Sequence, residues 1–97
     1  MRFSWDPQKS DRNLRVRGFD FEFATQIFSG PTLERVDSRR DYGERRTIAL
    51  GKAQEIQLTV VYTDRAETGR ENSRRIISAR KSTRREREAY KKAIGSK

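Results

Sequence analysis

The chain has no cysteine and no histidine. The first absence excludes disulfides, thiolate nucleophiles and thiolate metal sites. The second removes the usual zinc ligand and the usual acid–base side chain near neutral pH. Apolar residues are also scarce. Hydrophobic types make up 32% of the chain, and Leu, Ile, Val and Phe together number 19 of its 97 residues. No apolar run approaches the roughly 20 residues that span a bilayer. No basic, apolar, small-residue signal pattern opens the chain, so the expected location is the cytoplasm. Acidic residues are few beside basic ones, 14 Asp and Glu against 23 Lys and Arg, for a formal charge of +9.

That charge is concentrated. Residues 1–64 carry 11 basic and 10 acidic side chains, whereas residues 65–97 carry 12 and 4. Arginine dominates the basic segment, and its planar fork matches phosphate in a way that lysine does not. A field this one-sided points to a polyanion, most simply nucleic acid. The length fits a single domain over residues 1–97, with a thin core.

The apolar residues fall in periodic blocks. Phe3–Trp5 alternates like a short strand. Asp6-Pro7 opens a helix, with Asp6 as N-cap and Pro7 at the first position, and Gly18 closes it just beyond Val16. Asp20 caps a second helix whose Phe23, Ala24, Ile27 and Phe28 form an apolar stripe, stopped by Ser29-Gly30-Pro31. Thr32–Val36 reads as a strand and Asp37–Gly43 as a polar loop. Arg46, Ile48 and Leu50 alternate with Arg45, Thr47 and Ala49, and Gly51–Glu55 turns the chain. Ile56, Leu58, Val60 and Tyr62 alternate with Gln57, Thr59, Val61 and Thr63, pairing as a hairpin with the strand before. Residues 64–73 read as an exposed loop. Arg74–Arg80 is a last strand, with Arg75, Ile77 and Ala79 on one face and Arg74, Ile76, Ser78 and Arg80 on the other. Thr83 and Glu86 form a capping box for a final helix that ends at Gly95. The order predicts an α+β fold. A small, twisted, antiparallel sheet of four to five strands is packed by two N-terminal helices and joined by a C-terminal helix, and one sheet face stays open.

If the nucleic acid is an RNA to be cleaved without a metal, the chemistry requires a base for the 2′-hydroxyl, a proton donor for the leaving oxygen and positive charge at the developing phosphorane. Guanidinium groups suit the last task. Arg45 shares its face with Thr47 and Ala49 and is expected on the open face. Arg80 ends its strand beside Ser78, just before the N-terminus of the capped helix, where backbone N–H groups also attract phosphate. The plainer reading of both is a solvated strand end, paired with Glu44 or Glu86. Tyr62 is a candidate acid, base or stacking ring, although its phase with Leu58 and Val60 points partly into the core. Glu86 is a candidate base that the capping box already explains. Lys9 and Asn13 sit one helical turn apart. Trp5 reads as a core anchor. No metal-ligand spacing and no phosphate-cradling glycine loop occurs, so no cofactor is expected.

Five stretches, in order, resemble the BrnT family of toxins. They are Phe3-Ser4-Trp5-Asp6-Pro7 with Lys9 and Asn13, Gly18-Phe19-Asp20-Phe21-Glu22, Glu44-Arg45 leading to Gly51, Val60-Val61-Tyr62-Thr63, and Arg75-Ile76-Ile77-Ser78-Ala79-Arg80 through Thr83 and Glu86 to Tyr90. The resemblance implies the toxin half of a bacterial type II toxin–antitoxin pair, similar in fold to the RelE group and acting as a ribonuclease that blocks translation. It also implies a DNA-binding antitoxin that covers the active face and, in complex, represses the shared operon. Carried over by motif, the residues at stake are Lys9, Arg45, Tyr62, Arg75, Ser78, Arg80, Thr83 and Glu86. One departure stands out: where the family commonly has Lys-His before the glycine, this chain has Val16-Arg17, which puts Arg17 in the expected RNA groove. The competing reading is a non-catalytic basic module that binds nucleic acid or scaffolds a repressor complex, that is, an attenuated toxin.

Overall fold

A computed structural model describes residues 1–66 and 72–95 of the chain. The order is β1 (Arg2–Trp5), α1 (Pro7–Arg17), α2 (Phe21–Ala24), a 3-10 helix (Thr25–Ser29), β2 (Leu33–Val36), β3 (Thr47–Ala53), β4 (Ile56–Arg65), β5 (Ser73–Lys81) and α3 (Arg84–Ile94). The five strands form one sheet in the order β1-β5-β4-β3-β2. The fold is α+β, but the sheet is mixed rather than antiparallel, because β1 runs parallel to β5 with Arg2 opposite Ser73 and Trp5 opposite Ile76. Part of the expected 64–73 loop, residues 67–71, lies outside the described residues.

The helix starts follow from their caps. The Asp6 carboxylate accepts from the Gln8 N–H at 2.9 Å, Pro7 occupies the first turn, and Gly18 closes the helix at φ 88°. Such a cap is worth about 1 kcal/mol. Only Ser10 of α1 is buried, which makes α1 a surface element, and its hydroxyl accepts from the Phe21 N–H. Asp20 caps α2 as expected, but α-geometry lasts only to Ala24 and the rest of the stripe is 3-10. The tighter winding still buries Ile27 completely and leaves Phe28 half-buried against the core.

The main core lies between α2, the 3-10 helix and one sheet face. Phe21, Ala24 and Ile27 pack there on Ala49, Ala53, Leu58, Val60, Tyr62, Ile76 and Ala79. β3 does not turn at Gly51 but runs on to Ala53. A Cβ at Gly51 would stand 2.8 Å from Ile27 Cβ, so this glycine serves close packing of the 3-10 helix on the strand. The turn itself is Gln54-Glu55, both at positive φ (49° and 73°), the backbone of a two-residue hairpin turn.

The opposite face is not left open. α3 crosses it near Leu33, Ile48 and Leu50, with Ala89 over the shared groove, and Tyr90 is pinned by its hydroxyl to the Pro31 carbonyl at 2.8 Å. Ile48 and Leu50 are each 8% exposed beneath it. Both faces of β3 are therefore covered. Arg45, in phase with Ala49, belongs to the side of the main core and not to an open face.

Strand β5 departs from its expected alternation. Ile76 lies opposite Tyr62 but Ser78 lies opposite Val61, so the register shifts and Ile77 is the extra residue of a bulge. Before the bulge, Arg74 and Ile76 face the main core and Arg75 faces α3. Beyond it, Ala79 returns to the core, while Ser78 and Arg80, opposite Val61 and Thr59, face α3. The bulge thus puts Arg75, Ser78 and Arg80 on one face, where unbroken alternation would have separated Arg75 from the other two.

Candidate active site

Glu86 organises the start of α3. Its Oε1 accepts from Arg80 Nη1 at 2.7 Å, from the Thr83 N–H at 2.8 Å and from Thr59 Oγ1 at 3.0 Å, and its Oε2 accepts from Arg80 Nη2 at 2.9 Å. Thr83 completes the capping box by accepting from the Glu86 N–H at 3.2 Å. The Arg80 hydrogen bonds, aided by those of Thr83 and Thr59 and opposed by burial, hold the Glu86 carboxyl down to about 2. Arg80 is held above its ordinary value by the same pair, against its own burial and the nearby charge of Arg39. The Arg80 side chain is nevertheless 42% exposed, so a paired cation lies at the surface beside the N-terminus of an 11-residue helix.

A second feature joins this one at the sheet edge. β1 pairs with β5 only as far as Ile76, and α1 runs past the remainder. Arg17 Nη1 donates to the Ala79 carbonyl at 2.9 Å, tying the end of α1 to the strand edge. Between them lies a groove of about 310 Å³ that takes Lys9, Arg12, Arg17 and Ser78 into its walls and no carboxylate. Asn13 also lines it, with its amide donating to the Phe19 carbonyl at 2.9 Å. Ser78 belongs both to this groove and to the face that holds Arg75 and Arg80.

Not all the expected site residues meet here. Arg80, Glu86 and Thr83 form one cluster, and Lys9, Arg17 and Ser78 line the groove beside it. Arg75 shares the Ser78–Arg80 face. Arg45 and Tyr62 lie elsewhere, lining a hollow of about 460 Å³ with Glu34, Thr47 and Asp64. Tyr62 is only 4% exposed, its hydroxyl donates to Glu34 at 2.6 Å, and burial first, then that bond, push its phenol up to about 12. Arg74 covers its ring at 4.0 Å while forking onto Asp64 at 2.7 and 2.9 Å. Trp5 packs half-buried against the core, as expected.

Three residues of these clusters were missed by the sequence reading. Thr59 and Ser82, 2% and 5% exposed, share a 2.8 Å hydroxyl contact beneath Glu86. Arg12 stands one turn from Lys9 on α1, a spacing that could have flagged it. Among the described residues no three Asp or Glu side chains gather as metal ligands would, and no helix is long and apolar enough to cross a membrane.

A comparison with curated proteins finds no match. Residues 5–86 match the family described as ribonuclease toxin, BrnT, of type II toxin-antitoxin system, a span that holds α1, the bulged strand and the Thr83–Glu86 box. The chain belongs to the BrnT family of ribonuclease toxins.

Proposed function

We propose that this chain is an endoribonuclease that cleaves RNA without a metal ion, inhibits translation in the cytoplasm and is neutralised by a cognate antitoxin. In this reading residues 1–97 act as one RelE-like unit, and operator DNA is contacted only through the antitoxin. The observation that carries the reading is that Lys9, Arg12 and Arg17 line one groove with Ser78, whose strand face also carries Arg75 and Arg80. Phosphates of a single strand run along the groove, and Arg80, at the N-terminus of α3, meets the negative charge that develops at the scissile phosphate. Glu86 is spent on fixing Arg80: a carboxylate held near 2 is a feeble proton acceptor at neutral pH. Arg45 and Tyr62, outside this groove and strand face, are assigned no step. The absence of histidine and cysteine from the sequence supports a mechanism built on charge and orientation rather than on a zinc-bound water.

A second reading, an attenuated toxin that binds RNA or serves a repressor complex, has one observation in its favour. Arg17, at the position where the family commonly has histidine, is tied to the Ala79 carbonyl. One assay separates the two. Purified chain is incubated with end-labelled RNA in excess chelator, beside Arg80→Ala. The first reading expects cleavage by wild type and a loss of about 100-fold or more in the variant. Folded wild type that binds RNA tightly yet leaves it intact replaces the first reading with the second.

A further inference from the structure

Thr59 is too deeply buried to touch RNA, at 2% exposure, yet it reaches the Arg80 cluster through a single proton. Glu86 is ionised, so in the 3.0 Å contact between them Thr59 Oγ1 must be the donor. A hydroxyl has one proton to give. That proton goes to Glu86, and the 2.8 Å contact with Ser82 therefore has Ser82 as donor and Thr59 as acceptor. The wiring is directional: Ser82 donates to Thr59, Thr59 to Glu86 Oε1, and both Glu86 oxygens take the two Nη groups of Arg80. Thr59 sits on β4 directly opposite Arg80 on β5. The carboxylate is thereby fixed from the sheet side by a rigid strand residue, not only from its own helix.

We infer that Thr59 is a positioning residue, which sets the plane of the Arg80 guanidinium by holding Glu86 Oε1 from beneath. The inference rests on the ribonuclease reading above. A carboxylate that also accepts from Thr83 would remain bound without Thr59, but free to swivel about that remaining bond and carry the arginine fork with it. Arg80 would keep its charge and lose its aim. The cost then falls on the transition state rather than on binding of the strand.

The test compares Thr59→Val, which keeps shape and removes the proton, with Thr59→Ser, which keeps the proton. In chelator, Thr59→Val is expected to cleave RNA with kcat lowered about tenfold and KM nearly unchanged, and Thr59→Ser is expected to recover wild-type kcat. Rotation of the Arg80 guanidinium about its Nε–Cζ bond, read by nitrogen NMR, is expected to be slow in wild type and Thr59→Ser and faster in Thr59→Val. That second readout needs no activity and also shows whether the variant is folded. A Thr59→Val protein with wild-type kcat, or with unchanged Arg80 rotation, overturns the inference. So does an equal loss in Thr59→Val and Thr59→Ser, which would mark a packing effect. Wild type that leaves RNA intact overturns the ribonuclease reading and the positioning role with it, and the NMR result then says only how Arg80 is held.

Discussion

Glu86 couples pH to stability through one carboxyl group. In the unfolded chain it titrates near its ordinary 4.5, and in the fold near 2, so between those values the unfolded state binds more protons. The stability it contributes is fully present above about 4.5 and is lost as pH falls through about 2. Arg80 is 42% exposed, and solvent screening therefore holds the contribution to about 1 kcal/mol. Urea midpoints of the wild type are expected to decline across that window. Glu86→Gln should be less stable at pH 7 and should decline less steeply in acid. The slope will not vanish, because Asp37 has the same sign. Its side chain is 1% exposed, and the fork of Arg39 at 2.8 and 2.7 Å holds it well below the usual carboxylate range.

Among the elements, the hairpin turn between β3 and β4 is the one that the residues least favour. Gln54 and Glu55 both occupy the left-handed region, which costs a non-glycine residue about 1 kcal/mol or more. Replacing the pair by Asn-Gly is expected to raise stability by about 1–2 kcal/mol, measured by urea denaturation, with RNA cleavage unchanged. The same absence of Asn or Gly explains why the turn reads from the sequence as a vague Gly51–Glu55 segment. Elements whose signal is local were legible: Asp6-Pro7, Asp20 and the Thr83–Glu86 box mark the three helix starts, and with them the Arg80 cluster. The β3–β4 hairpin was legible too, but the other features that depend on pairing were not. Two adjacent isoleucines satisfy either phase of a strand, so nothing in Ile76-Ile77 announces a bulge, and the face of Arg75 was misread with it. Phe3–Trp5 alternates, but three residues carry no direction, and the parallel pairing with β5 was invisible. Thr59 looked like any outward residue of an alternating strand until its register put it opposite Arg80. Arg45 reads as an open-face residue because Ile48 and Leu50 look like the core face of a one-sided sheet, whereas α3 gives that sheet a second covered side.

At the scale of the whole molecule, the net charge of +9 sets a long-range attraction for RNA, and in the function proposed above the groove is where that attraction becomes contact. Lys9 and Arg12 both line the groove, and neither makes an ion pair with a described residue. Each phosphate contact with single-stranded RNA adds roughly 0.7 to the slope of log affinity against log salt. Lys9→Ala with Arg12→Ala is therefore expected to flatten that slope by about 1.4 in a filter-binding titration, largely independent of RNA sequence. An unchanged slope would place the strand off this groove. The parallel pairing of β1 with β5 also has a bearing on synthesis. β1 waits for a strand that begins at Ser73, and the arginine cluster, with the helix behind it, arrives later still. The non-local pairing makes closure of the sheet slow and late, and no nascent chain short of Glu86 carries an assembled Arg80 fork. In a chain wired in this order the helix cap is what completes the arginine cluster, so the cluster is assembled only after the whole sheet has been made.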